Sequence, residues 1–320
     1  MITRVRHEMN YYSLYGLTVE SDLDFFQLKE LMHKPEHIDV FIYQSILEKR
    51  LERELEGKSY SIGKHSTIFS NKTVHIVVEK GNTIRYQAKK NANRQLLKTY
   101  LLGFGFAFLF LQKNQMAIHC SSVACDKGAL LLAGESGSGK STLTRSLIKA
   151  GFKLLADDME LVWVRGNDLF AYPAFPYQKM CRNEVEKLAN PLEAIYIDEM
   201  KDKFMVPCFS AFEEQEQKVM GIVILKESNC EQVQLEEVKG LQKMYAVYGN
   251  LFVRKLLYRE TVNSHIIDNC LKIAAIIPIY HLNRPVGVDS VEEQINALNK
   301  VFDLNNSNKD VSIVDRNTFI

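Results

Sequence analysis

The sequence of 320 residues lacks the features that mark several classes of protein. Its 40 lysines and arginines almost balance its 39 aspartates and glutamates, so we expect neither nucleic acid nor an anionic membrane as its main partner. No two of its six cysteines have CxxC spacing, which argues against a zinc or redox motif and favours reduced thiols in a cytoplasmic protein. The amino terminus has no apolar segment typical of a signal peptide, and there is no internal repeat.

The most apolar run, residues 100–111, is too short to cross a bilayer, which takes roughly 20 residues. Lys98 and Lys113 stand on either side of it. The pattern favours a helix buried in the core, with contact at a membrane surface as the alternative. We predict a connecting helix over 93–114 that packs between the two halves of the chain.

The residues that are present at 134–141, GESGSGKS, match G-x-x-x-x-G-K-[ST], the phosphate-binding P-loop. Glycines let backbone N–H groups turn inward onto phosphate oxygens. Lys140 can reach the β- and γ-phosphates, and the hydroxyl of Ser141 can bind Mg²⁺. The residues predicted to bind the nucleotide are Gly134, Glu135, Ser136, Gly137, Ser138, Gly139, Lys140, Ser141 and Thr142.

The sequence on both sides of this loop supports the motif. The apolar run 128–133 predicts a buried strand, and 141–150 predicts a helix with Leu143 and Leu147 on one face. Gly151 stands where a glycine often ends a helix. Because these patterns are independent of the loop residues, they favour a nucleotide-binding loop over a chance match in a Gly/Ser turn.

The chain is predicted to be an α/β protein in which a β-rich N-terminal domain precedes a P-loop nucleotide-binding domain. We place the N-terminal domain at 1–92, the connecting helix at 93–114, the P-loop domain at 115–302 and a polar tail at 303–320. The further strands predicted in the P-loop domain are 117–124, 152–156, 219–225 and 279–282, and the further helices are 241–248, 261–275 and 290–301.

Two adjacent acids, Asp157 and Asp158, directly follow the predicted strand 152–156. Ligands of open α/β sheets bind at such strand ends. One acid can hold Mg²⁺ while the other accepts the proton of an attacking hydroxyl, although a solvated turn is the alternative. His119 lies on the strand before the P-loop, where it could orient a carboxylate or simply be a core side chain.

The stretch 118–162 resembles the HPr kinase/phosphorylase family, in which a histidine, a P-loop and a paired-aspartate strand end follow at this spacing. The resemblance implies an HPr kinase-like fold that uses ATP and Mg²⁺. It further implies that His119 supports Asp157 as the general base on a substrate serine, that Lys140 acts on the phosphates, and that Ser141 and Asp158 belong to the metal side.

The phosphorylase signature of the bifunctional enzymes is not found downstream. Segments 15–23, 203–207 and 279–285 instead look like the HPr-kinase-like enzymes of lasso peptide gene clusters. This resemblance implies a cytoplasmic kinase that phosphorylates the C-terminal serine of a precursor peptide, its partner, and it also favours a homo-oligomer.

Other functions remain open from the residues alone. The protein could phosphorylate a folded protein such as HPr or a small hydroxylated molecule, or it could be a nucleotide-gated binding module without group transfer. The paired aspartates favour transfer, because a switch needs only one acid on the metal side.

Lys203 and Arg284 are further candidates for contact with phosphate or a peptide carboxylate, with a solvated surface charge as the alternative. Arg182 and Arg254 are weaker candidates.

Overall fold

The computed structural model of the protein describes residues 9–46, 53–55, 57–63, 66–188, 190–198, 202–257 and 264–304. Over these residues the chain forms three β-sheets with helices packed against them, which confirms the mixed α/β class. Most of the predicted tail, 305–320, lies outside the described residues, as do 261–263 of one predicted helix.

The first sheet is built from the N-terminal part of the chain and has eight strands in the order β3-β1-β2-β4-β8-β7-β6-β5. Strands β1 and β2 form a hairpin whose turn residues, Tyr15 and Gly16, both have positive φ angles, as tight hairpin turns require. The strands are β1 Asn10–Leu14, β2 Leu17–Ser21, β3 Lys29–Glu30, β4 Val40–Gln44, β5 Tyr60–Ile62, β6 Ser66–Ser70, β7 Val74–Glu79 and β8 Thr83–Ala88.

The connecting helix, Arg94–Gln112, is observed where the sequence predicts it. Asn93 caps its start by accepting hydrogen bonds from two backbone N–H groups, and Leu101–Gly105 forms a π-helical turn within it. Among the described residues it is the helix whose length and composition would allow it to cross a membrane. Its phenylalanines at 106, 108 and 110 are fully buried in the protein core, as the first of the two predicted alternatives requires.

The second sheet carries the P-loop and contains nine strands. Strands β11, β18 and β20 are parallel neighbours, and β12 runs parallel to β11 because both are antiparallel to β10 between them. The carboxyl ends of these four strands therefore lie at one edge. The strands are β9 Met116–Ile118, β10 Cys120–Cys125, β11 Gly128–Gly134, β12 Lys153–Ala156, β13 Glu160–Arg165, β14 Asp168–Ala171, β18 Gln217–Ser228, β19 Gln234–Glu237 and β20 Ile279–Pro285.

The prediction of one strand over 117–124 is wrong, because the chain changes partners in its middle. Ile118 of β9 pairs with Glu160 of β13, whereas Cys120 of β10 pairs with Ala133 of β11. His119 lies at the crossing between the two strands, and its backbone N–H donates to the carbonyl of Asn250 at 2.7 Å. The break thus positions the histidine at the start of β10.

A third sheet, which the sequence did not predict, has three strands in the order β15-β17-β16. They are β15 Tyr177–Cys181, β16 Ile195–Asp198 and β17 Lys203–Pro207. The helices that follow the connecting helix are Lys140–Lys149, Arg182–Val185, Leu241–Gly249, Arg254–Leu257, Ser264–Ile276 and Val291–Phe302.

One continuous apolar core joins the N-terminal sheet, the connecting helix and much of the P-loop sheet. The β1–β2 hairpin is fixed to the second half by polar contacts as well. The buried hydroxyl of Tyr15 donates to the carbonyl of Met159 at 2.9 Å, and its backbone N–H donates to the carbonyl of Pro173 at 3.0 Å. The hairpin therefore contacts the chain directly after the paired aspartates.

Glu160 is a fully buried carboxyl in this region and makes the stability depend on pH. The hydroxyl of Ser122 and the backbone N–H of Tyr172 donate to it, yet burial raises its pKa from 4.5 to about 8. Between these two pH values the native state holds a proton that the unfolded state has lost. The free energy of unfolding should therefore fall by several kcal/mol as pH rises through this interval, and should level off above it.

Urea unfolding at a series of pH values from 4.5 to above about 8 measures this dependence. The Glu160→Gln variant has no carboxyl to titrate, so its free energy of unfolding should not fall over this pH interval. Its amide oxygen can still accept a hydrogen bond from the Tyr172 N–H group. If the fall were unchanged in this variant, another group would have to cause it.

Candidate active site

The phosphate cradle, which we define as residues 134–141, connects the end of β11 to the P-loop helix, Lys140–Lys149. The strand, loop and helix are thus observed as predicted. Gly134 has a φ of 134°, and a Cβ atom there would lie 2.5 Å from the carbonyl oxygen of Leu225 on the neighbouring strand. Only glycine allows the loop to leave the sheet this close to β18.

The cradle presents hydrogen-bonding groups that lack protein partners among the described residues. The P-loop helix begins after Gly139, in the left-handed conformation at φ 100°, without a side-chain cap on its first N–H groups. Ser138 is buried, and its hydroxyl has no hydrogen-bond partner. An anion at the start of the helix would satisfy both, so the residues present fit a bound phosphate.

Lys140 begins the helix and folds back over the loop. Its Nζ atom donates to the carbonyl oxygens of Gly134 at 2.7 Å and Glu135 at 2.9 Å. Burial lowers its pKa, and the carboxylates of Asp157 and Asp158 act in the opposite direction. The ammonium group and the two acids are therefore electrostatic neighbours at one edge of the sheet.

Asp157 follows β12 and is nearly inaccessible to solvent, with 9% of its surface exposed. The hydroxyl of Ser121 donates to its Oδ1 atom, and the backbone N–H of Lys179 donates to Oδ2 at 2.7 Å. Burial raises its pKa above the ordinary value, although both hydrogen bonds oppose the rise. A buried carboxyl with a raised pKa is a better proton acceptor than an exposed one.

Asp158 has a left-handed backbone at φ 72°, and its carboxylate has different partner atoms from the carboxylate of Asp157. Its Oδ2 atom is 2.6 Å from Nζ of Lys179. The Nδ1 atom of His119 is 2.8 Å from the backbone oxygen of Asp158 and 3.8 Å from its Oδ1 atom. The resemblance had paired His119 with Asp157, whereas the structure shows its hydrogen bond to the second aspartate.

The contact of His119 with a carbonyl oxygen also fixes its tautomer. A carbonyl can only accept, so Nδ1 carries the hydrogen and, in the neutral ring, Nε2 carries the lone pair. The ring packs edge-on against Phe252, with the ring centroids 5.9 Å apart. His119 is therefore a held side chain at the rim of the site, with 38% of it exposed.

Mg²⁺ fits the donors of this site as a partner of a bound nucleotide. The described residues contain no cluster of three or more His, Cys, Asp or Glu that would hold a metal by itself. Mg²⁺ in nucleotide sites needs only one or two carboxylates, with phosphates and water as its other ligands. Asp158 and the hydroxyl of Ser141, which the resemblance assigns to the metal side, are the groups that would hold it.

Strand β15 supplies contacts that the sequence did not reveal. Gln178 donates from Nε2 to the carbonyl of Ser141 at 3.1 Å, and Lys179 contacts both aspartates. The side chain of Glu184, just beyond the strand, accepts a hydrogen bond from Thr142 at 3.1 Å. The segment 177–184 carries no motif, and only the pairing of distant strands brings it to the cradle.

The secondary candidates divide into two groups. Lys203 is partly buried, pairs with Cys181 at the end of β15, and is close enough to Asp157 and Lys140 for its charge to act on both. Arg182 makes a two-pronged exposed ion pair with Asp202. Arg254 donates to the carbonyl of Gly249 at 3.3 Å. These contacts account for the two weaker candidates as surface charges.

Arg284, the other secondary candidate, donates hydrogen bonds to the backbone of the cradle. It lies on β20, and its Nε atom donates to the carbonyl of Ser138 at 2.8 Å while Nη2 contacts Glu227 and lies 3.4 Å from the carbonyl of Gly137. Only 14% of the side chain is exposed. By contacting these carbonyls, Arg284 helps to fix the conformation in which the loop presents its N–H groups.

The Arg284→Met variant should therefore bind nucleotide about tenfold more weakly, because one charged hydrogen bond holds the loop carbonyl. Isothermal titration with the nucleotide measures this loss. Arg254→Met removes an exposed arginine that also donates to one carbonyl and serves as the matched control. Equal affinities of the two variants would contradict the supporting role of Arg284.

No protein-family model matches this chain, and no curated protein matches it at a significant level. Among solved structures, it is similar to the Hpr(Ser) kinase/phosphatase from Coxiella burnetii, with a TM-score of 0.29 and 16% sequence identity. The alignment covers 58% of this chain and 97% of that one. At this TM-score the likeness carries no weight for fold or function, which depend on the geometry above.

Proposed function

We propose that this protein is a kinase that uses ATP and Mg²⁺ and transfers the γ-phosphoryl group to a serine hydroxyl. The main support is that the phosphate cradle and a buried carboxyl with a raised pKa, Asp157, lie at the same edge of one sheet. A nucleotide-gated module would need the cradle and a metal-side acid, but it would not need a second, buried carboxyl beside them.

The residues of the chain divide the work of an in-line transfer. The loop N–H groups and Lys140 hold the phosphates and stabilise the charge that develops on them. Bound Mg²⁺ would neutralise the β- and γ-phosphate oxygens. Asp157 accepts the proton of the acceptor hydroxyl, and Ser121 and the Lys179 N–H group hold its carboxylate in place. His119 fixes the turn that carries Asp158.

As the acceptor we propose the C-terminal serine of a lasso peptide precursor. The proposal rests on the resemblance of segments 15–23, 203–207 and 279–285 to the kinases of lasso peptide clusters. Lys203, within one of these segments, places a positive charge near Asp157. A C-terminal serine carries a carboxylate next to its hydroxyl, and the ammonium group of Lys203 can pair with that carboxylate.

Incubation with ATP labelled on its γ-phosphate, followed by mass spectrometry, tests the proposal. A precursor peptide ending in serine should gain phosphate, and the same peptide ending in alanine should not. A third peptide with a C-terminal amide measures the contribution of the carboxylate. If HPr or a small alcohol gained label and the peptide did not, the proposed acceptor would be wrong. Release of phosphate only to water would favour the nucleotide-gated module.

A further inference from the structure

Lys179 is a charged residue of the site that the proposed transfer leaves without a role for its side chain. Its Nζ atom is 2.6 Å from Oδ2 of Asp158, and its backbone N–H donates to Oδ2 of Asp157 at 2.7 Å. The side chain is 20% exposed and that of Asp158 is 32% exposed, so the ion pair is partly shielded from water. One residue of β15 thus contacts both acids through different atoms.

Two positive groups at the phosphate end, Lys140 and Lys179, are paired within the protein in this structure. Lys140 contacts carbonyls of its own loop, and Lys179 contacts Asp158. An Asp158 carboxylate that accepts Mg²⁺ must give up an ammonium group bound at the same oxygen. The four-carbon stem of lysine allows that movement while the backbone contact with Asp157 stays in place.

Lys179 also stands next to the place where phosphate would bind. Asp158, whose Oδ2 atom contacts the Nζ atom of Lys179, is close enough to Lys140 of the P-loop for its charge to act on that lysine. The charge of Lys179 reaches Asp157, the proposed base. An ammonium group released from Asp158 therefore remains close to both acids, which are electrostatic neighbours of the P-loop lysine, at the end of the site where negative charge develops during transfer.

We infer that Lys179 is an exchangeable counter-ion, which neutralises Asp158 before the metal–nucleotide complex binds and then stabilises the phosphoryl group during transfer. The second half of this inference rests on the proposed function. In that step the acceptor oxygen bonds to the γ-phosphorus, and the bond to the β–γ bridging oxygen breaks with its electrons left on ADP. The acceptor proton passes to Asp157, and Lys179 keeps its own proton.

Metal binding without nucleotide tests the first half. Mn²⁺ serves as the probe, and its binding is measured by water proton relaxation. The Lys179→Met variant removes the ammonium group from Asp158 and should bind Mn²⁺ about tenfold more tightly than the unchanged protein, since a charged hydrogen bond no longer competes. Lys218→Met is the matched control, because Lys218 pairs with Asp168 at 2.7 Å on an exposed part of the sheet.

The rate of transfer in a single turnover tests the second half. Lys179→Met should lower it by about 10²-fold, as expected for the loss of one group that stabilises the transition state. Lys179→Arg keeps the charge and should restore weak Mn²⁺ binding and much of the rate. Opposite changes in metal affinity and rate distinguish this role from a structural one, because a damaged site would lower both.

An Mn²⁺ affinity that is unchanged or weaker in Lys179→Met would overturn the inference, provided that its thermal unfolding matches that of Lys218→Met. Tighter Mn²⁺ binding in a protein that phosphorylates no acceptor would support the exchange at Asp158 and overturn the proposed kinase function. The two proposals can therefore fail separately.

Discussion

Replacement of Asp157 by asparagine is expected to lower the rate of phosphoryl transfer by about 10²- to 10⁴-fold, the usual contribution of a general base. The amide cannot accept the proton, yet it fits the same hydrogen bonds. Its oxygen can accept from the Lys179 N–H group, and its NH₂ group can donate to the hydroxyl of Ser121. The loss should therefore appear in the chemical step, measured in a single turnover with saturating nucleotide.

The pH dependence of the same reaction provides an independent measurement. Asp157 acts in its deprotonated form, so the rate should rise with pH through its pKa. Because burial raises that pKa, the rise should occur at a higher pH than for an exposed aspartate, and it should be absent from Asp157→Asn.

Asp158→Asn is the matched control for this prediction. It changes the neighbouring acid and should raise the Mg²⁺ concentration needed for half-maximal rate. An Asp157→Asn protein that binds nucleotide and transfers phosphate at the normal rate would exclude Asp157 as the base.

The second large effect is expected at Lys140. Lys140→Met should lower kcat/KM by about 10²- to 10³-fold, because a desolvated charge that stabilises the transferred group is lost. The folded protein itself should not become less stable. Burial lowers the pKa of this lysine, so its charge is held at a cost that methionine does not incur.

Thermal unfolding with and without nucleotide separates these two effects. Without nucleotide, the Tm of Lys140→Met should equal or exceed that of the unchanged protein. Saturating nucleotide should raise the Tm of the unchanged protein and have much less effect on the variant. Lys153→Met is a suitable control, since Lys153 is an exposed lysine outside the cradle. Its Nζ atom is 3.4 Å from the carboxylate of Glu213. An unaltered kcat/KM in Lys140→Met would contradict the role of the cradle.

The sequence predicted the parts of the site whose information is local. The cradle is defined by eight consecutive residues, and its flanking strand and helix have independent periodic patterns. The position of Asp157 and Asp158 at a strand end also follows from a short apolar run before them. These predictions needed no knowledge of which strands pair with each other.

The features that the sequence did not predict depend on distant pairings. The break at His119 exists because β9 and β10 join different partners, and a continuous apolar run does not show where partners change. Lys179 reaches the aspartates only because β15 lies beside them, and nothing in its neighbours distinguishes it from a surface lysine. The burial of Glu160 is hidden for the same reason. The predicted roles of His119, Asp157 and the metal-side residues stay predictions.

The apolar core continues across the predicted domain boundary at residue 92. The turn of the β1–β2 hairpin is bonded to the carbonyl of Met159, the residue after Asp158. A fragment that began at residue 93 would expose the apolar side of the connecting helix and leave this carbonyl without its donor. The N-terminal sheet is therefore part of the scaffold that holds the paired acids, and the two halves should unfold as one cooperative unit.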